Sequence, residues 1–88
     1  MTEAETAALL YLQQNGGSVL ISRVPDVAEK GLFGEVFPGI RTYKKLEVQG
    51  FLYITEEDVE DDGFQFTPSI ELTEKGMTVV KELSRQQN

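Results

Sequence analysis

The chain has no cysteine, no histidine and no tryptophan among its 88 residues. Without thiolate or imidazole donors, zinc sites of the usual kind cannot be assembled, and no disulfide can staple the fold. Nucleophilic pairs of the Cys–His or Ser–His type are excluded for the same reason. No apolar run approaches the ~20 residues needed to span a bilayer. The chain opens Met1-Thr-Glu-Ala-Glu5, acidic where a signal peptide would be basic. A cytoplasmic address is therefore expected. Acidic groups are not scarce, with 15 Asp and Glu against 8 Lys and Arg and a net charge of −7. A glycosidase-type carboxylate pair would still need a cleft that holds two groups apart, and a chain this short has little room for one. The expectation is a binding protein rather than an enzyme, with no cofactor.

What is present reads as one domain over residues 1–88. A chain of this size buries only about 60–65% of its unfolded surface, so the core is thin. Thr2 and Glu5 have the spacing of a capping box. An Ala- and Leu-rich stretch follows, and Asn15-Gly16-Gly17 supplies a left-handed stop, which predicts a first helix over residues 3–14. Residues 7–12 are all apolar. That surface is wider than one stripe. Either the helix is buried on two sides within a monomer, or it joins the last helix in a homodimer. Val19-Leu20-Ile21 is of strand type. Ser22 as N-cap, Pro25 in the first turn, and Val24, Val27 and Ala28 at helical spacing predict a second helix over residues 22–31, ended by Gly31. Leu32-Phe33-Gly34 and Val36-Phe37 fall to a connecting loop.

A third helix is predicted over residues 39–49, ended by Gly50. Ile40, Tyr43 and Leu46 recur every three residues and define its buried face, with Leu12, Val27, Phe51 and Leu72 as expected core partners. Arg41, Thr42, Lys44 and Lys45 point elsewhere. Residues 51–54 read as a strand and 56–63 as an acidic turn. Phe64, Phe66, Ile70 and Leu72 read as the returning strand, with Pro68 an irregularity in it. Thr73 caps a fourth helix with Met77, Val80 and Leu83 on one face. Residues 84–88 are polar and expected to fray. Phe33, Phe37, Phe51, Phe64 and Phe66 could stack on single-stranded nucleic acid, but core is the default for such residues in a small domain.

The predicted order is helix, short strand, helix, helix, strand, turn, strand, helix. Within it, Leu46-Glu47-Val48-Gln49-Gly50-Phe51-Leu52 resembles the "Leu-Glu-x-x-Gly-apolar-apolar" stretch that ends the recognition helix of winged helix regulators. Leu72-Thr73-Glu74-Lys75-Gly76 is similar to the "Leu-Thr-x-x-Gly" that starts their last helix. PadR-like and MarR-like proteins are nearest in character. The resemblance implies an α+β winged helix-turn-helix domain: a three-helix core, a β-hairpin wing and a C-terminal helix. It implies binding of double-stranded DNA, with the third helix in the major groove. Carried over residue by residue, it favours Arg41, Thr42, Lys44 and Lys45, with Arg41 the best candidate for a guanine contact. Arg23 joins them if a basic stripe (Arg23, Lys30, Arg41, Lys44, Lys45) runs across the second and third helices. The competing reading is that these residues are the solvated face of an amphipathic helix.

The charge balance opposes DNA, since a domain that binds it is usually basic. The excess is localised. Glu56, Glu57, Asp58, Glu60, Asp61 and Asp62 all fall in the expected wing, and taking these six from a net of −7 leaves −1. A wing normally carries Lys or Arg toward phosphate, whereas this one sets acids beside a polyanion. Three readings stay open. The segment is a solvated hairpin tip, or it docks a basic protein partner or mimics nucleic acid, or it binds calcium. For the last, Asp58-x-Glu60-x-Asp62-Gly63 copies the start of an EF-hand, but the twelfth loop position is Ser69 rather than the closing Glu. Two function classes follow: a small DNA-binding transcriptional regulator or accessory factor, and a protein–protein interaction module on the same fold that has lost DNA binding.

Overall fold

A computed structural model describes residues 1–55 and 68–86. Among them are three α-helices, a three-stranded antiparallel sheet and a separate two-stranded hairpin, an α+β arrangement. Helix α1 spans Glu3–Gln14, as its cap predicts. The Glu5 N–H donates to Thr2 Oγ1 at 3.1 Å, and the Thr2 N–H donates back to Glu5 Oε1 at 3.3 Å. Glu5 Oε2 also accepts from Gln49 Nε2 at 3.0 Å. The Gln49 and Thr2 hydrogen bonds hold the Glu5 carboxyl below its ordinary pKa. The helix stops at Asn15. Gly17, with φ +89°, donates its N–H to the Leu12 carbonyl and turns the chain into strand β1, Ser18–Leu20.

Strands β4, Leu52–Ile54, and β5, Ser69–Leu72, complete the main sheet in the order β1-β5-β4. Leu52 pairs with Leu72 and Ile54 with Ile70, the antiparallel pairing expected of these stretches. Val19 pairs with Ile70 from the other side. The alternation places Val19, Leu52, Ile70 and Leu72 in the core and leaves Ser18, Leu20 and Tyr53 toward solvent. The expected tip at 56–63, the aromatics Phe64 and Phe66, and the end of the tail lie outside the described residues.

Helix α2 spans Ile40–Val48 and buries Tyr43 and Leu46. Ile40 and Phe51 are half-buried against the same cluster, with Leu12 and Leu72 inside it. Helix α3 spans Glu74–Gln86. Its inward face carries Gly76, Val80 and half-buried Val79 and Leu83. Met77, expected on that face, is 50% exposed at its rim. Ala8, Leu9 and Leu12 of α1 are buried, and Leu10 and Tyr11 pack against the core. Ser84 Oγ of α3 lies 3.3 Å from Gln13 Oε1.

The second predicted helix does not form. Residues Ile21–Arg23 make one 3-10 turn. Val24 is then extended (φ −97°, ψ 129°), the conformation that a following proline imposes on its neighbour. Pro25 therefore ends helical structure rather than starting it. Strands β2, Glu29–Lys30, and β3, Val36–Phe37, form a hairpin in place of the expected helix and loop. Val27, expected in the core, is 75% exposed. Phe33 and Phe37, for which core was the default, are exposed as well.

Burial pushes the Tyr43 phenol up to about 12, with the Tyr11 charge adding to the shift. A raised folded-state value means the neutral form is held in the native state. Its contribution to stability is complete below pH ~10, the ordinary tyrosine value, and is lost as pH rises toward 12. Thermal melts are expected to fall across that window, and Tyr43→Phe to flatten the decline. An equal alkaline decline in both proteins would place its cause elsewhere.

Candidate nucleic-acid interface

Helix α2 is held at both ends by backbone contacts. The Ile40 N–H donates to the Pro25 carbonyl at 3.0 Å. Gly39, its N-cap, lies against the preceding segment so closely that a Cβ there would stand 2.8 Å from the Ala28 nitrogen. No side chain at Gly39 or beyond caps the first turn. At the other end, Gly50 with φ +85° reverses the chain into β4. The Phe51 N–H donates to the Leu46 carbonyl at 3.1 Å.

The position of Tyr43 and Leu46 in the core fixes the opposite face. Arg41, Lys44 and Lys45 are exposed there and Thr42 is half-buried. Arg41 is three and four residues from the two lysines, so the three cations are neighbours on the helix surface. Among the described residues, the ion pair is Arg85–Glu82 in α3 at 3.7 Å, and none involves these three. Glu47, the one acid of α2, is turned away. Its Oε2 accepts from the Ile54 N–H at 2.7 Å.

This pattern works against helix stability. Like charges at these spacings repel by roughly 0.2–0.5 kcal/mol per pair. A cation in the first turn also opposes the helix dipole, and α2 has no acid there to offset it. Lys45, in the last turn, suits the dipole, so the cost falls on Arg41 and its two like-charge spacings.

Arg41, Thr42 and Lys44 border one hollow of about 560 Å³, shared with Asp26, Val27 and Ala28 from the segment before the hairpin. Lys45 stands on the same face of α2 but outside that hollow. Arg23 lines a different hollow with Asn15, Ser18, Val19 and Leu20. Lys30 is exposed on the hairpin. With no second helix, the stripe imagined across two helices becomes a cluster on α2 with outliers. The acids Glu56, Glu57, Asp58, Glu60, Asp61 and Asp62, and with them the EF-hand-like spacing, lie outside the described residues. Among the described residues no three acidic side chains converge as a metal site would need, and no helix is long and apolar enough to cross a membrane.

Sequence reasoning placed Leu32 and Phe33 in a connecting loop and took core as the default for Phe33, so it missed their exposure. They sit at the tip of the β2–β3 hairpin with 99% and 91% of their surface exposed. Periodicity could not have found them, because it says nothing about whether a loop is covered. No family model matches the chain, and no curated protein or solved structure is significantly similar to it.

Proposed function

We propose that this chain is a small winged helix-turn-helix protein that binds double-stranded DNA through α2. The carrying observation is the Arg41, Lys44 and Lys45 face: three neighbouring cations in no ion pair among the described residues, with Arg41 in the first turn repelled by both lysines. Unfavourable local choices of this kind are commonest at functional sites. Support for the fold reading comes from the order β1-β5-β4, with α2 entering β4 directly and β5 feeding α3. In this reading the helix before the recognition helix is reduced to the Ile21–Arg23 turn and a hairpin. Helix α2 lies in the major groove, Arg41 and Thr42 near its start face base edges, and Lys44 and Lys45 meet phosphates.

The test is a titration of random duplex DNA over a salt series. Two phosphate-directed cations predict a log–log slope of about −1.8. Lys45→Ala should weaken binding uniformly across sequences and reduce the slope by about one. Arg41→Ala should weaken binding and relax base preference. Binding that is absent at low salt, or indifferent to all three cations, would overturn the assignment.

A further inference from the structure

Asn15 caps the last turn of α1 and is followed by Gly16. An asparagine side-chain amide is open to attack by the main-chain nitrogen of the next residue. Glycine is the successor that hinders this attack least, because it has no Cβ. The other asparagine, Asn88, stands at the last position of the sequence. Asn15 is exposed, and a Cβ at Gly16 or Gly17 would meet nothing within 4 Å among the described residues. Water and base therefore reach the dipeptide, and no described neighbour crowds it.

The cap holds the reacting atoms apart. With Asn15 at φ −105° and ψ 23°, the Gly16 N–H donates to the Gln13 carbonyl at 3.1 Å. That nitrogen must lose its proton and swing toward the Asn15 side-chain carbon before it can attack. The leaving amide is held as well, since Asn15 Nδ2 donates to the Tyr11 carbonyl at 2.8 Å. Both bonds lie at the end of a helix, where opening free energies are lowest. They form a latch that local fraying releases while the core stays folded.

We infer that Asn15-Gly16 is a self-modification site, at which the folded protein converts an amide to an acid. The Gly16 nitrogen forms a bond to Asn15 Cγ, and the Cγ–Nδ2 bond breaks. The proton passes through solvent to the departing nitrogen, which leaves as ammonia. Water then opens either carbonyl of the resulting succinimide, giving aspartate or its isomer with the main chain running through the side-chain carbon. No oxidant or reductant takes part. Either product lacks the Nδ2 donor, so the Tyr11 bond is lost permanently. The isomer also adds one carbon to the main chain just before Gly17. The Gly17 N–H donates to the Leu12 carbonyl at 2.7 Å, and its carbonyl accepts from the Leu72 N–H at 2.9 Å. Conversion therefore loosens the junction of α1 with β1 and β5.

The experiment incubates the full chain in mildly alkaline buffer and follows residue 15 by mass spectrometry, beside a sample unfolded in urea. The folded protein is expected to convert at about one-tenth of the unfolded rate, as for a latch open about a tenth of the time. Gly17→Ala places a side chain at φ +89° and strains the cap. With its thermal melt confirming that it is folded, it should convert about fivefold faster than wild type, and no faster once unfolded. Asn15→Gln, which needs a larger ring, should not convert over the same period. Fully converted wild type should melt about 4–8 °C lower than fresh protein, the scale of one lost hydrogen bond. A folded protein that stays unconverted while the unfolded chain converts overturns the site. Equal rates in the two states overturn the latch, and an unchanged melt of the converted protein overturns the loosening.

Discussion

Gly76→Ala is expected to destabilise the protein by about 2 kcal/mol net, although glycine to alanine in a helix normally stabilises. The two effects can be weighed. Alanine in a helix interior gains up to about 1 kcal/mol over glycine. At position 76, however, the new Cβ would fall inside the van der Waals envelope of the Phe51 carbonyl oxygen. It would also stand 2.9 Å from the carbonyl carbon and 3.1 Å from Leu72 Cδ2. Those neighbours are backbone and core, so α3 must lift away from β4. Overpacking on that scale costs about 3 kcal/mol.

The lift would also disturb a set of bonds centred on Thr73. Its N–H donates to the Phe51 carbonyl at 3.1 Å, and its Oγ1 donates to the Gly50 carbonyl at 2.6 Å while accepting from the Gly76 N–H at 3.1 Å. Lys75 Nζ donates to the Gln49 carbonyl at 2.9 Å and lies 4.9 Å from the Phe51 ring centre. For a domain this small, a net loss of 2 kcal/mol lowers the melting temperature by roughly 8–16 °C. Gly50→Ala provides the comparison. Its Cβ would meet only the flexible end of Lys75, at 3.8 Å, so its cost is that of a positive φ alone, about 1 kcal/mol. A melt in which Gly76→Ala is the more stable of the two would contradict this account.

That junction also shows how far the sequence could be read. The stretches 46–52 and 72–76 are each visible as a helix stop and a helix start. Their meeting is not, because the Thr73–Gly50 bond joins residues 23 apart in the chain. Features that depend on near neighbours were legible to the residue. The Thr2–Glu5 capping box set the start of α1, and the three-residue recurrence of Tyr43 and Leu46 set the inward face of α2. The segment 22–31 misled because two local signals disagree there. Val24, Val27 and Ala28 have helical spacing, but Pro25 disfavours helical geometry at Val24, and that steric bias outweighs spacing, which is only a weak tendency. Once the helix is lost, Val24 is buried from an extended segment and Val27 turns out to solvent. The site was legible for the same reason as α2 itself: fixing the buried face fixes Arg41, Lys44 and Lys45 opposite. Arg23 was tied to them only through the helix that does not form.

The acidic run 56–62 supplies the second large effect. Replacing Glu57, Asp58, Asp61 and Asp62 with their amides is expected to tighten duplex binding about tenfold at low salt. The run begins directly after Thr55, and the preceding residue, Ile54, donates its N–H to Glu47 of α2 at 2.7 Å. The chain therefore enters the run two residues after a bond to α2. At about 10 Å in water, one acid and one phosphate repel by roughly 0.4 kcal/mol before screening. Four acids together then oppose binding by about 1.5 kcal/mol, which is close to a factor of ten. The Debye length shortens from about 30 Å at 0.01 M salt to about 8 Å at 0.15 M. The gain should accordingly shrink to about twofold at physiological ionic strength, so that wild type and variant converge as salt rises. An interaction module that has lost DNA binding gives the opposite pattern. Its wild type shows no duplex binding even at low salt, and the amide variant loses capture of a basic protein partner. If neither measurement responds to the four substitutions, the acids act on neither partner, and the run serves as a solvated tip.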